Sequence, residues 1–354
     1  MTNRKCLVTG GAGFIGCAIS KELCDQFDEV VVVDLLHEQV HPTRTRPKAL
    51  DERARLVVAD VCDSAAWARL LADFTPSLVI HLAAETGTGQ SLTEATRHAQ
   101  VNVTGTAVML DALSKCATKP SRIVLTSSRA VYGEGPWVTD AGQVVYPGQR
   151  SVEQLQRHEW DFPGAKPRPA SAATSRPMPV SVYGATKLAQ EHVLGAWCSA
   201  MGVEAAVLRL QNVYGPGQSL SNPYTGIVSL FCRLAREKKS IPLYEDGAML
   251  RDFVFIDDVA AMILRAASAP LSPHPIDVGT GHSVTIAEAA RIIATLYDAP
   301  EPHVCALYRF GDVRHASCDI GDTVARFNWR PQIPVQEGIK RLSAWIEEQL
   351  PRAN

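Results

Sequence analysis

The sequence predicts an α/β chain, a doubly wound parallel sheet with a smaller C-terminal α/β lobe, and three observations predict it. Short β-branched runs alternate with amphipathic stretches through the first two-thirds, a glycine-rich turn joins the first run to the first stretch, and beyond about Gly215 the alternation breaks down. Alternation of this kind implies parallel strands joined by helical crossovers. Lys5–Thr9, Glu29–Asp34, Leu56–Asp60, Leu78–Ala83, Arg122–Ser127 and Ala205–Arg209 read as buried strands, each an apolar run ending in polar or small residues. Between the first two, Ile15, Ala18, Ile19 and Leu23 fall on one helical stripe. Later, Ile241–Asp246 and Asp252–Ile256 read as extended segments, and Val259–Ala267, Ile286–Tyr297 and Val335–Gln349 as helices. Pro275–Gly279 reads as a strand returning to the main sheet. The expected division is a domain over 1–215 and a lobe over 216–354.

The stretch from Trp137 to Pro179 fits neither pattern. It holds five prolines between Pro163 and Pro179, with alanine, serine and glycine in the gaps, so it reads as a loop insertion carrying one short helix within Ser151–Glu159. His158 is its only histidine, which argues against a metal site. A lid over a site and a tolerated surface excursion are equal alternatives for it.

Bulk properties exclude several classes. Net charge is −2 with 20% charged residues and no long basic run, so electrostatics gives no case for a nucleic-acid or membrane partner. No apolar stretch approaches the length of a bilayer span. Nine cysteines are scattered singly, without a Cys-x-x-Cys pair, and read as small core residues in a reducing compartment. The first strand begins at Lys5 with no leader pattern before it, and the expected location is cytoplasmic.

Thr9-Gly10-Gly11-Ala12-Gly13-Phe14-Ile15-Gly16 follows a strand and opens a helix, the context in which a glycine fingerprint marks a Rossmann-type dinucleotide site. Glycines allow the tight turn and the close approach of backbone to pyrophosphate, and the helix N-terminus offers free N–H groups to the phosphates. Asp34 closes the second strand, placed to accept hydrogen bonds from the adenosine ribose. Its carboxylate would repel a 2′-phosphate, which favours NAD over NADP, and Arg44 and Arg46 follow too far along to reverse this. Asp60, followed by Val61, ends the third strand and is placed either to meet the adenine amino group or to cap the strand end. His81-Leu82-Ala83-Ala84 leads the fourth strand into a small-residue crossing over the dinucleotide. Asn102 lies on the next helix, as a backbone-binding amide near the site or as a buried structural one.

Tyr183 and Lys187 stand four residues apart, hence on one helical face, behind the serine pair Ser127-Ser128. A free tyrosine has a pKa near 10, so it acts as a base at neutral pH only if nearby cations favour the phenolate. Tyr-x-x-x-Lys is frequent by chance; its place after a complete nucleotide-binding half gives it weight.

With these residues in place the chain resembles the extended short-chain dehydrogenase/reductase family, and within it the nucleotide-sugar epimerases and dehydratases. The resemblance spans nearly the whole chain. It rests on Gly10 to Gly16, Asp34, Asp60-Val61, His81 to Ala84, Ser127-Ser128 before Val131-Tyr132-Gly133, Tyr183 with Lys187, Asn212 to Gln218, Arg251-Asp252-Phe253 and Gly311 to Arg314. The segments Ser127–Gly135 and Gln211–Gly226 are most similar to those of dTDP-L-rhamnose 4-epimerase-like proteins. The resemblance implies that Ser128 bonds the sugar hydroxyl, that Tyr183 is the acid/base, and that Lys187 binds the nicotinamide ribose and lowers the tyrosine pKa. It implies further that Arg251 and Arg309 hold the substrate diphosphate, with Asn212 contacting it. Thr86 and Thr225 are loop candidates for substrate contacts, beside Glu85, Thr88, Gln90 and Ser91. A homodimer is implied, through the helix after Asn102 and the one carrying Tyr183.

Three chemistries share this apparatus. In dehydratase relatives an Asp-Glu pair directly follows the catalytic Ser/Thr; here Arg129-Ala130 stands there, which disfavours elimination of water. A net reductase usually draws on NADPH, which Asp34 disfavours. The expected activity is an NAD-dependent 4-epimerase acting through a transient 4-keto sugar on a dTDP- or UDP-(deoxy)hexose, with 4-ketoreductase, 4,6-dehydratase and a non-catalytic NAD-binding scaffold as alternatives.

Overall fold

The computed structural model describes residues 4–220 and 226–350. Its central element is a seven-stranded sheet in the order Ile276–Val278, Glu204–Leu210, Arg122–Ser128 (β5), Leu78–His81 (β4), Lys5–Thr9 (β1), Glu29–Asp34 (β2), Arg55–Val58 (β3). β1 pairs in parallel with both β2 and β4, setting Val8 opposite Val32 on one side and Ile80 on the other. Between their polar ends these strands are continuous apolar runs, because both faces are covered. The strand expected at Pro275–Gly279 does return to this sheet, shortened to Ile276–Val278 and set beside Glu204–Leu210.

The chain divides into two compact units. The first comprises residues 1–128, 182–209 and 259–276, the second residues 129–181, 210–258 and 277–354. This replaces the expected boundary at 215. In the first unit, helices Phe14–Gln26 (α1), Ser64–Asp73 (α2), Thr106–Ser114 and Val182–Met201 flank the sheet. Trp67, Phe74, Met109, Leu110, Leu125 and Leu194 form part of its buried core.

The second unit is built from short strands and three longer helices. Asn212–Tyr214 pairs in parallel with Phe253–Phe255. Tyr214 meets Phe253 and Phe255 edge-on, at 6.0 and 5.6 Å between ring centroids. Gly338 lies against that tyrosine so closely that a Cβ would stand 2.0 Å from its hydroxyl, so only glycine fits. The Ile286–Leu296 helix starts with a capping box, in which the Thr285 hydroxyl accepts from Glu288 N and the Glu288 carboxylate accepts from Thr285 N.

The insertion differs from the loop that its prolines suggest. Trp137–Thr139 forms a three-stranded antiparallel sheet with Val144–Val145 and Ala165–Pro167, and Pro167 sits at a strand end where its missing N–H costs little. The expected short helix is present at Val152–Gln156, capped by Ser151. Arg150 in this segment is completely buried and pairs through both terminal nitrogens with the Glu245 carboxylate at 2.9 and 2.8 Å. Ala170 bridges to Cys318, with Ala170 N donating to Ser317 O at 3.0 Å. A tolerated excursion would not bury a guanidinium, so the insertion is a structural part of the second unit.

Candidate active site

The glycine turn is shaped by β1 and β4. Gly10 has φ +67° and lies under the β4 crossing, where a Cβ would stand 2.7 Å from Ala83 N. A Cβ on Gly16 would meet the Gly11 backbone at 2.4 Å, so α1 reaches the turn only because both residues are bare. Phe14 and Ile15 open α1, and Gly13 caps it in extended backbone without a side chain, leaving first-turn N–H groups for an anion. Asp34 accepts from Ala12 N at 3.0 Å and from Leu36 N at 2.8 Å, which fixes its carboxylate beside the turn. Arg46 donates instead to the backbone oxygens of Asp51 and Ala54.

A cavity of about 540 Å³ opens alongside, lined by Leu35, His37, Asp60, Cys62, Glu85 and Val101 among others. Asp60 faces it and also accepts from Cys62 N at 2.8 Å, so strand-end capping and a ligand contact are compatible there. Val61 is buried and accepts the Trp67 indole N–H at 2.8 Å through its carbonyl. Leu82 and Ala83 are held by Thr9, with Leu82 N donating to its carbonyl and Ala83 N to its hydroxyl. Ala84 continues the crossing. Asn102 is fully buried, and its amide is used internally. Its oxygen accepts from Glu85 N at 2.7 Å, and its nitrogen donates to Glu85 O and to Thr186 Oγ1. It ties the β4 loop to the Tyr183 helix.

The candidate catalytic residues come from two elements of the first unit. Ser128 ends β5 and is buried. Tyr183 is the second residue of the Val182–Met201 helix; its N–H donates to Ser91 Oγ at 3.1 Å, and its ring lies edge-on to His98 with centroids 6.4 Å apart. Lys187 follows one turn later, 2% exposed, and its ammonium donates to Thr126 O at 2.8 Å and to Gln190 Oε1. Burial pulls the Lys187 pKa down to about 7 against the attraction of Glu191. That attraction is blunted because Glu191 already holds the Arg209 guanidinium at 2.7 Å and the Ser127 hydroxyl.

In the second unit, Asn212 Oδ1 accepts from Arg129 Nε at 2.8 Å, so Arg129 is engaged with the amide beside it. Arg251 is buried, and its terminal nitrogens donate to the backbone oxygens of Leu250, Arg314 and Val313. Arg309 is exposed, with its guanidinium 4.9 Å from the centre of the Tyr244 ring. Thr86 lends its carbonyl to His98 at 3.4 Å in the first unit. Thr225 falls among residues 221–225, outside the described residues.

Residues 6–279 match the model of the NAD dependent epimerase/dehydratase family. The chain belongs to that family. It is 57% identical over 352 residues to a dTDP-L-rhamnose 4-epimerase of Burkholderia thailandensis, covering 99% of this chain and 97% of that protein. Among solved structures it is similar to a UDP-glucose 4-epimerase of Thermotoga maritima with UDP-glucose, at TM-score 0.81 and 26% identity over 98% and 99% of the two chains. It is likewise similar to a UDP-glucose 4-epimerase of Thermus thermophilus in complex with NAD, at TM-score 0.77 and 27% identity over 98% and 100%. NAD is the family's cofactor, and the bare turn at Gly10–Gly16 with the fixed carboxylate of Asp34 fits it. No helix among the described residues is long and apolar enough to cross a membrane, and none of their His, Cys, Asp and Glu side chains form a group that could hold a metal.

Sequence reasoning misses the support beneath Lys187. Gln190 is fully buried at i+3 from the lysine, a spacing that alone places it on the same face. His81 reads in the sequence only as part of a strand end. It is fully buried, and desolvation together with the nearby Lys187 charge holds its pKa down at about 3, so it is neutral in the working range.

Proposed function

We propose that the protein is an NAD-dependent nucleotide-sugar 4-epimerase, acting on a dTDP- or UDP-(deoxy)hexose of which dTDP-L-rhamnose is the first candidate. The observation that carries this is a buried ammonium one helical turn beyond Tyr183, in the unit where Ser128 ends the neighbouring strand, with Arg129-Ala130 rather than a pair of carboxyl groups after that serine. Reversible oxidation needs one acid/base and no second pair, and that is the inventory present. The strong likeness to a dTDP-L-rhamnose 4-epimerase supports the choice of sugar.

Bound NAD supplies a reversible hydride acceptor. Tyr183 as phenolate removes the C4-hydroxyl proton and later returns it, while Ser128 donates a hydrogen bond to O4 in both directions. Lys187 favours the phenolate by its charge and would hold the nicotinamide ribose. The guanidiniums of Arg251 and Arg309 and the amide of Asn212 are assigned the substrate diphosphate, and Thr86 and Thr225 sugar contacts. A 4-keto sugar that turned its other face to the bound cofactor would be inverted at C4 without net consumption of reductant. A homodimer completes the reading, and a cytoplasmic location is supported by nine cysteines of which none is disulfide-bonded.

The deciding experiment incubates purified protein with dTDP-, UDP-, GDP- and CDP-sugars and follows the epimer ratio by NMR, beside Tyr183→Phe. Interconversion without added cofactor, lost in the variant while NAD stays bound, is the expected result. Product that accumulates only as NADPH is consumed would make it a reductase, and substantial turnover by the variant would remove Tyr183 from the reaction.

A further inference from the structure

The Lys187 ammonium is buried without a carboxylate of its own, and what holds it is an amide. Gln190 can present either its oxygen or its nitrogen to the lysine, and the surroundings decide which. The Thr106 hydroxyl donates to Asn102 O at 2.7 Å, so its lone pairs are left to accept, and Gln190 Nε2 donates to it at 2.9 Å. His81 Nε2 stands 2.9 Å from the same hydroxyl and 3.1 Å from Gln190 Nε2, so the ring closes the nitrogen side of the amide, and His81 Nδ1 pairs with Thr9 Oγ1 at 2.6 Å. The bonds to Lys187 and to Thr106 are both made only if the Gln190 oxygen faces Lys187. A reversed amide would aim two donors at an ammonium and leave Thr106 short of one.

We propose that Gln190 is a positioning residue for the reaction, its amide locked by Thr106 and His81 so that it holds the Lys187 ammonium in place and protonated without neutralising its charge. The proposal rests on the epimerase reading, in which that charge acts on Tyr183. A carboxylate at the same position would bind the lysine more strongly and cancel its field. An apolar side chain would leave Thr126 O as the acceptor the structure retains, and the buried amine would shed its proton. The neutral amide lies between these failures. The titratable groups that act on the ammonium are Glu191 on its own helix and His81 on β4, and Tyr183 stands one turn before it on that helix. Behind them stand Arg209 of the Glu204–Leu210 strand, bound to Glu191, and His98 of the Ala95–Ala99 helix, packed on Tyr183. His81 is uncharged, and Glu191 and Arg209 offset each other.

The test uses NAD-loaded enzyme and compares wild type with Gln190→Leu and Gln190→Glu. The first readout is kcat and KM against pH. The second needs no substrate: an NMR titration of the Lys187 side chain in 15N-lysine-labelled protein, assigned with Lys187→Met. Gln190→Leu is expected to lower kcat at neutral pH about tenfold or more with KM unchanged. It should also move the alkaline limb and the lysine titration down by about one pH unit. Gln190→Glu moves both to higher pH. Should both variants titrate like wild type and lose only thermal stability, Gln190 is packing and the proposal falls. If wild type turns over none of the nucleotide sugars, the functional reading fails, and the lysine titration still decides the role of Gln190.

Discussion

Each unit buries a polar cluster, and the two handle charge in opposite ways. Around Lys187 the partners are neutral: a backbone carbonyl, an amide, and behind it a hydroxyl and an uncharged imidazole. Around Arg150 the partners are ions. Arg150 and Arg314 share the Glu245 carboxylate, Glu134 faces Arg150 Nε at 3.4 Å, and Arg314 reaches Asp161 and Asp246 at 2.9 and 2.7 Å. The first cluster leaves a charge uncompensated, which costs stability and yields a field that can act on Tyr183 one turn away. The second compensates its charges and so fixes geometry, drawing a proline-rich insertion into a packed unit. A buried cation is therefore a different object in the two places.

The same chemical change should separate them. Lys187→Met is expected to cut kcat by a factor of about 10² to 10⁴ while the protein stays folded. It should also flatten a pH dependence of stability. The lysine pKa lies near 7 in the folded chain and at 10.5 for an ordinary solvated lysine, so the unfolded chain holds more protons in that window. Stability of the wild type accordingly rises as pH goes from about 7 toward 10.5 and falls back as pH is lowered again. Urea unfolding at about pH 7 and about pH 9, inside that window, reads the difference. A wild type equally stable at both pH values would show that the ammonium is better compensated than a carbonyl and an amide allow.

Arg150→Met should do the reverse, leaving the chemistry of the first unit alone and lowering stability by about 3–5 kcal/mol, because Glu245 loses its bidentate partner while still buried. The urea midpoint measures this, and limited proteolysis within 137–179 should become faster. A loss below about 1 kcal/mol would return the insertion to the status of a surface excursion.

How much of this is legible in the sequence follows the range of the interactions. Gly10, Gly13, Gly16, Asp34, Tyr183 and Lys187 are readable because their spacing is local: a turn, a strand end, one helical face. The main-sheet strands fall within a few residues of their expected places for the same reason, since a parallel sheet covered on both faces writes itself as continuous apolar runs. Arg150 gives no such signal. Its partners Glu134 and Glu245 are separated from it by 16 and 95 residues, and a charged residue in a proline-rich stretch looks like solvent-facing loop. Prolines also hide the small sheet at Trp137–Thr139, whose hairpin closes through Thr139 N to Gln143 O with Gly142 at φ +79°. The support of Lys187 lies between these extremes, because Gln190 shares its helix face while Thr106 and His81 arrive from other elements.

The subtlest test concerns Glu134, where the second cluster carries one carboxylate more than it uses. Three guanidiniums, those of Arg150, Arg251 and Arg314, lie among the carboxylates of Glu245, Asp161, Asp246 and Asp312, so every guanidinium has an acid before Glu134 is counted. Its Oε2 accepts from Arg314 N at 2.8 Å, its Oε1 has no hydrogen-bond partner among the described residues, and burial pushes its pKa up to about 7 from 4.5. A carboxyl whose pKa is raised by folding adds stability that is complete below about 4.5 and is lost as pH rises through about 7. Glu134→Gln cannot ionise and keeps the bond from Arg314 N. It should match the wild type at about pH 5 and exceed it by roughly 1 kcal/mol or more at about pH 8, the difference opening as pH rises through about 7. If the variant is instead the weaker protein at the higher pH, then the carboxylate is a working partner of Arg150, and the second cluster uses every ion it holds.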